Sequence, residues 1–308
     1  MDFVTVAVCT YNRAGRLPEL INALRQQECQ FPFEILVVDN NSTDNTQDVL
    51  RQLAHIDGPP LRFVSEMRQG IVHARNRCIE ETRNSAFLAF IDDDELPGHS
   101  YLKVAVDALK NEGAECVGGE IRVKLPNDPG PPWLTDELLG FLGKVKHSKE
   151  AFWISERSTP VWSGNVAYKT ALFRDGLRFD ERYNRAGKRI GGGSDAIMFW
   201  KLLESKRRIR YRPDMWIEHL IDPEKIRCRY FLKLHFSRGR KFGQYETRNY
   251  SHTLIGVPPF MVRQTLQHLV KTIRMIVFRQ PGMVRQAMNS AYAVGSIWGR
   301  LLRRQYCE

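Results

Sequence analysis

From Val4 to Val123 the chain alternates short β-branched apolar runs with stretches whose apolar residues recur every three or four positions. That alternation predicts βαβ units around a parallel sheet. Val4 to Cys9 reads as a strand, Leu17, Leu20, Ile21 and Leu24 follow at helical spacing, and Glu34 to Val38 forms a second run bounded by Asp39. Ser42 is placed as the N-cap of a helix with Val49, Leu50 and Leu53 on its apolar face. Leu61 to Val64 predicts a third strand, Gly70 to Thr82 a helix and Phe87 to Ile91 a fourth strand. Tyr101 to Asn111 predicts another helix and Val117 to Val123 a fifth strand.

In an open parallel sheet the ligand crevice lies beyond the carboxyl ends of the strands. Three apolar runs end there in polar clusters: Thr10-Tyr11-Asn12, Asp39-Asn40-Asn41 and Asp92-Asp93-Asp94-Glu95. Asp and Asn also follow strands because they make turns and cap helices, and that account serves Asn40, Asn41 and Ser42 equally well. It serves poorly for three consecutive aspartates behind the apolar run from Ala86 to Ile91. Carboxylates so close repel unless a cation compensates them, and hard divalent cations take carboxylate oxygens while leaving positions for substrate phosphates. The run therefore points to a metal-diphosphate site. The first βα turn, Thr10 to Gly15, has no G-x-G-x-x-G pattern, and no Walker A lysine motif occurs. Dinucleotide-dependent hydride transfer and P-loop ATP hydrolysis are thereby set aside.

At 308 residues, with 43% hydrophobic and 26% charged, the chain has globular composition and room for an appended module. The six cysteines (Cys9, Cys29, Cys78, Cys116, Cys228 and Cys307) form no C-x-x-C pair and read as reduced thiols of a cytosolic protein. The opening Met-Asp-Phe enters a strand pattern directly, so export is not expected. The net charge of +11 is concentrated at one end: residues 1–222 hold 30 Lys/Arg against 32 Asp/Glu, residues 223–308 hold 16 against 3. A basic segment behind a near-neutral body points to an anionic partner, a membrane surface or nucleic acid. Within it, Val262, Leu266, Leu269, Val270, Ile273, Ile276 and Val277 make one helical stripe, with Arg263, Gln267, Lys271 and Arg274 largely elsewhere. A second helix is expected from Met283 to Leu302; its longest uncharged stretch, Gln286 to Gly299, is 14 residues, below the roughly 20 needed to span a bilayer. Such helices can lie among anionic headgroups, or pack on the body or in a homodimer.

Seven motifs follow one another in the chain. They are Val6-Ala7-Val8-Cys9-Thr10-Tyr11-Asn12-Arg13, Ile35-Leu36-Val37-Val38-Asp39-Asn40-Asn41-Ser42-Thr43-Asp44, Gly70-Ile71-Val72-His73-Ala74-Arg75-Asn76 and Phe90-Ile91-Asp92-Asp93-Asp94-Glu95-Leu96-Pro97. Ser163-Gly164-Asn165-Val166-Ala167, Gly191-Gly192-Gly193-Ser194-Asp195 and Glu218-His219 complete the series. In this order they resemble the family 2 glycosyltransferases. The resemblance implies an α/β GT-A nucleotide-sugar-binding fold, with a mostly parallel central sheet flanked by helices and a C-terminal basic amphipathic helical extension. It implies a catalytic domain over 1–222, with a nucleotide-binding half (1–123) and an acceptor half (124–222), and a membrane-associating or dimerising segment over 223–308.

The resemblance further implies that Thr10, Tyr11, Asn12 and Asp39 line the nucleotide pocket, with Arg75, Asp92 and Asp93 near the donor. Asp94, with Asp92 and His219, would hold Mn²⁺ or Mg²⁺, and Asp195 would be the catalytic base. Many relatives carry Glu-Asp where this chain has Ser194-Asp195, so the carboxylate beside the base is missing. The implied reaction is inverting transfer from a nucleotide-sugar, a UDP-sugar by family habit, to a saccharide acceptor. By the same resemblance that acceptor is a polyprenyl-diphosphate-linked saccharide at the cytoplasmic face of a cell membrane. Glycines 191–193 would let the backbone approach the acceptor. Competing accounts stay open: Asp195 as a helix N-cap, Asn165 as a turn residue rather than a donor or acceptor contact with Gly164, and His219 as a core histidine. Trp133, after Pro131-Pro132, is either an aromatic platform for the acceptor or part of a packed loop. A nucleic-acid-binding protein, suggested by Arg238-Gly239-Arg240-Lys241 and Arg303-Arg304, leaves the acidic cluster unexplained and lacks any zinc-finger or RNP pattern. A glycoside hydrolase would also use carboxylates, but not a nucleotide donor.

Overall fold

A computed structural model describes residues 3–82, 84–187, 190 and 193–304; Gly191 and Gly192 of the glycine-rich turn, and Cys307, lie outside them. The chain divides into two units. One comprises Met1–Lys124, Gly143–Gly187 and Ser194–Ile221, the other Leu125–Leu142, Lys188–Gly193 and Asp222–Glu308.

The first unit is built on a nine-stranded sheet. Its strands are β1 (Val4–Thr10), β2 (Phe33–Asp39), β3 (Leu61–Ser65), β4 (Phe87–Asp92), β5 (Glu95–Pro97), β6 (Cys116–Lys124), β7 (Phe152–Ile154), β8 (Val166–Lys169) and β9 (Ile209–Leu220). Four of them run parallel in the order β3-β2-β1-β4. Every residue of β1 is buried, as a parallel strand covered on both faces requires. The connections are α1 (Leu17–Arg25), α2 (Thr46–Ala54), α3 (Ile71–Glu81) and α4 (Tyr101–Lys110). Leu17, Leu20, Ile21 and Leu24 of α1 join one core with Val6 and Val8 of β1 and Leu36 of β2.

Beyond β4 the sheet becomes mixed. β8 pairs antiparallel with β4 and β6, β6 runs parallel to β9, and β5 and β7 pair antiparallel with β9. The β6–β9 register shifts between Gly119 and Ile121; a Cβ on Gly119 would overlap the Met215 carbonyl, so the bulge needs glycine there. Two helices complete this part of the chain, α6 (Ala171–Arg174) and α7 (Ser194–Glu204), and the four-residue α5 (Asp136–Leu139) precedes them in the second unit.

Two local expectations change. Ser42 does not cap α2, which begins at Thr46; the Ser42 hydroxyl instead accepts the Asn12 amide at 2.9 Å, and Asp44 takes the Thr46 amide at 3.0 Å and its hydroxyl at 2.5 Å. The strand expected at Val117 to Val123 runs from Cys116 to Lys124, and the short β5 precedes α4. Three residues are too few to show a period, and β5 exists because β9 pairs with it.

The second unit contains α8 (Cys228–Lys241), which continues into a π-helical turn at Phe242–Glu246, then α9 (Pro259–Val277) and α10 (Met283–Arg304). The α8 helix and its π turn meet α10 at backbone contact. A Cβ would overlap the Tyr292 carbonyl at Gly239, the Ser296 carbonyl at Gly243, the Phe236 carbonyl at Gly295 and the Arg240 carbonyl at Gly299. These are two facing G-x-x-x-G pairs, whose four-residue spacing aligns the glycines on one helix face. α9 meets α10 through polar groups: the Thr272 and Ser290 hydroxyls lie 2.7 Å apart, and Gln286 Nε2 donates to the His268 carbonyl at 3.2 Å. The seven residues of the α9 apolar stripe are each at least 37% exposed. Among the described residues no helix is long and apolar enough to cross a membrane.

Candidate active site

Two strand ends build the first rim. Thr10 closes β1 opposite Asp39, which closes β2. The Asp39 side chain is buried and accepts the Ser42 amide at 3.1 Å and Gln47 Nε2 at 2.9 Å. Asn12 has a φ of 52°, a left-handed conformation that asparagine tolerates better than most residues. That turn lets its Oδ1 accept the Thr43 amide at 2.7 Å. Asn12 is thus tied to the loop after β2, and the Thr10 carbonyl accepts the Asn40 amide at 2.9 Å.

The three aspartates at the end of β4, of which Asp92 closes the strand, do not converge on one point. Asp92 Oδ1 meets Arg75 Nη2 at 3.1 Å, Asp93 Oδ2 accepts the Thr10 hydroxyl at 2.8 Å, and Asp94 Oδ2 lies 3.6 Å from His219 Nε2. His219 arrives because β9 pairs with β5, with His219 opposite Glu95. Burial, reinforced by the Asp94 charge, pushes Asp93 up to about 7. Burial, with the charges of Asp92 and Asp94, holds Glu95 well above the usual carboxylate range. Glu95 Oε2 accepts the Asp92 amide at 2.9 Å, and its carboxyl fills the space a Cβ on Gly164 would need. Glu95 is a structural part of the acidic turn that sequence reading left without a role, its only signal being a fourth acidic residue in the run; Gly164, expected to position donor or acceptor, packs against that carboxyl.

The cation facing Asp92 is part of the protein. Arg75, on α3, is 4% exposed and lies 5.5 Å from the Phe179 ring centroid. Its Nη1 reaches Asp195 Oδ1 at 2.5 Å while Nη2 holds Asp92. Burial alone would depress the guanidinium, but Asp195 and Asp92 outweigh it and raise the pKa. Asp195 is the second residue of α7, and the buried Ser163 hydroxyl donates to the same Oδ1. Both of its hydrogen bonds among the described residues fall on Oδ1, away from Oδ2. Ser163 had been legible only as the first residue of the Ser-Gly-Asn motif.

Of the proposed metal ligands, Asp94 and His219 come together while Asp92 turns to Arg75. Among the described residues no group of three such side chains is gathered around one point. One carboxylate and one imidazole form a two-donor site that suits Mn²⁺ better than the strictly oxygen-seeking Mg²⁺ when phosphate oxygens and water complete the coordination. The buried Asn165 amide nitrogen donates to the Glu120 carbonyl at 2.9 Å and the Met215 carbonyl at 2.8 Å, stapling the β6–β9 bulge, while its Oδ1 is buried without a partner among the described residues. Trp133 belongs to the second unit and packs edge-on against Phe231, centroids 5.5 Å apart.

Residues 5–177 match the model of "Glycosyl transferase family 2". "Glycosyltransferase AglE" of Haloferax volcanii is 33% identical over 128 residues, 41% of this chain and 42% of that protein. The match therefore spans less than half of that relative. "Succinoglycan biosynthesis protein ExoM" of Rhizobium meliloti is 22% identical over 246 residues, 78% of this chain and 74% of that protein. Among solved structures, the mannosyltransferase PcManGT from Pyrobaculum calidifontis, in complex with GDP-Man and Mn²⁺, superposes with a TM-score of 0.56 at 21% identity, covering 99% of this chain and 78% of that one. A likeness at that identity shows the fold, and the fold is GT-A.

Proposed function

Since the chain belongs to glycosyl transferase family 2, we propose that it moves a sugar, with inversion, from a nucleotide-sugar to a saccharide hydroxyl. The single observation that carries this reading is the Arg75 bridge between Asp92, at the end of β4, and Asp195, at the start of α7. It joins a donor-side and an acceptor-side carboxylate within one unit. A sugar hydroxyl is a poor nucleophile near neutral pH, and a positioned carboxylate that takes its proton contributes about 10²–10⁴-fold. Asp195 is that base, held at Oδ1 by Arg75 and Ser163, with Oδ2 turned to the hydroxyl. Thr10, Tyr11, Asn12, Asp39 and Asp93 form the nucleotide side, and Asp92 orients the ribose. Asp94 and His219 would hold a divalent cation, which when bound offsets the charge on the departing diphosphate as a Lewis acid.

The catalytic domain is 1–222 and the basic segment is 223–308. The acceptor is a lipid-linked saccharide at the cytoplasmic membrane surface, in the assembly of a polysaccharide; the relative named for succinoglycan biosynthesis supports that choice. UDP-sugars are the first donors to test and GDP-sugars the second, because the mannosyltransferase is bound to GDP-Man. A panel of both, scored for Mn²⁺-dependent hydrolysis and thermal stabilisation, identifies the donor. With that donor, Asp195→Asn is expected to abolish transfer while leaving nucleotide affinity close to the parent's. Surviving turnover would assign the base elsewhere.

A further inference from the structure

We infer that the outward face of α9 is a docking surface for an anionic lipid bilayer, on which the protein lies without crossing it. The inference concerns the second unit and stands apart from the transfer chemistry. A helix in water ordinarily buries its apolar face; α9 leaves its apolar stripe exposed. Toward α10 it spends Thr272 on Ser290 and the His268 carbonyl on Gln286. Outward it presents Leu266 (57% exposed), Val270 (66%), Ile273 (62%) and Val277 (67%). Leu254 and Ile255, just before the helix, and Phe278, just after it, are more than 60% exposed as well. A trough of about 800 Å³ along this face is lined by Leu254, Pro259, Leu266 and Val270 together with Arg263 and Lys271.

Charge decides the occupant. At 3.6 residues per turn, Arg263 and Arg274 fall directly beside the apolar stripe, with Lys271 farther round on the same flank, and no Asp or Glu occurs between Glu246 and Glu308. A second copy seated face to face would set these cations against their own counterparts, with no carboxylate on α9 or α10 to pair them. An anionic bilayer complements both halves of the face: acyl chains take the stripe, and Arg and Lys reach headgroup phosphates along their own apolar stems.

Flotation of the full chain with vesicles tests this. Phosphatidylcholine vesicles containing about 30% phosphatidylglycerol are expected to carry the protein, and pure phosphatidylcholine much less. Leu266→Glu, Val270→Glu and Ile273→Glu combined should weaken binding by at least about tenfold with the far-UV circular dichroism unchanged, since all three side chains are exposed. Arg263→Gln, Lys271→Gln and Arg274→Gln combined should erase the preference for anionic vesicles. The inference is overturned if the parent does not float with anionic vesicles, or if the triple glutamate variant floats equally well. It is also overturned if the parent sediments as a dimer that the glutamates split.

Discussion

Asp195 illustrates how individual side chains acquire work from their neighbours. A carboxylate at a helix N-terminus is commonplace, but here a buried guanidinium and a buried hydroxyl converge on the same oxygen, which fixes the carboxylate's rotation. Ser163→Ala is expected to lower kcat about tenfold with donor KM little changed, and Ser163→Thr to restore most of it, because only the hydroxyl is needed. Steady-state kinetics with varied donor separates the two. Asp94→Ala should remove the Mn²⁺ dependence of nucleotide affinity in calorimetry; an unchanged Mn²⁺ effect would refute the ligand assignment. Gly164→Ala forces a methyl into the Glu95 carboxyl, an overpacking that costs about 1–3 kcal/mol and lowers the midpoint of urea unfolding. The aspartate run was legible as chemistry, but its division among Arg75, Thr10 and His219 was not. Those partners lie from 17 to 125 positions away in the chain, and the strands decide which one each carboxylate meets.

Between Val4 and Val123 periodicity predicted the elements well wherever an element was long enough to repeat, whereas the longer β9 (Ile209–Leu220) and α8 (Cys228–Lys241) went unpredicted. The four parallel strands and α1 to α4 fall where alternation placed them, because each buries a full stripe or face. β5 and β7 did not announce themselves, since three residues carry no period and exist as strands only through pairing with β9. The glycines of α8, its π turn and α10 carry their signal in spacing rather than hydrophobicity. Gly239 with Gly243 and Gly295 with Gly299 permit the helix backbones to touch, so Gly295→Ala is expected to cost about 1–3 kcal/mol and to lower the chemical denaturation midpoint. Gly140→Ala, where a side chain meets nothing, serves as the control and should leave that midpoint in place.

Across the whole molecule, the charge is distributed by role: a near-neutral body carries the cleft residues, and the last 86 residues carry the basic excess. Vesicle association should therefore fall as salt rises, since the screening length shrinks from about 10 Å at 0.1 M to about 3 Å at 1 M. The apolar stripe should leave a residual, salt-insensitive part in the same flotation assay. The sequence by itself determined the α/β class, the family and the acidic cluster, because patterns of burial and consecutive motifs are written along the chain. It also determined that α9 is amphipathic. Only the tertiary structure decided which way α9 faces, that Arg75 stands between Asp92 and Asp195, and that Asn165 staples a bulge. Those outcomes depend on which distant segments share a neighbourhood, and one-dimensional spacing does not encode that proximity.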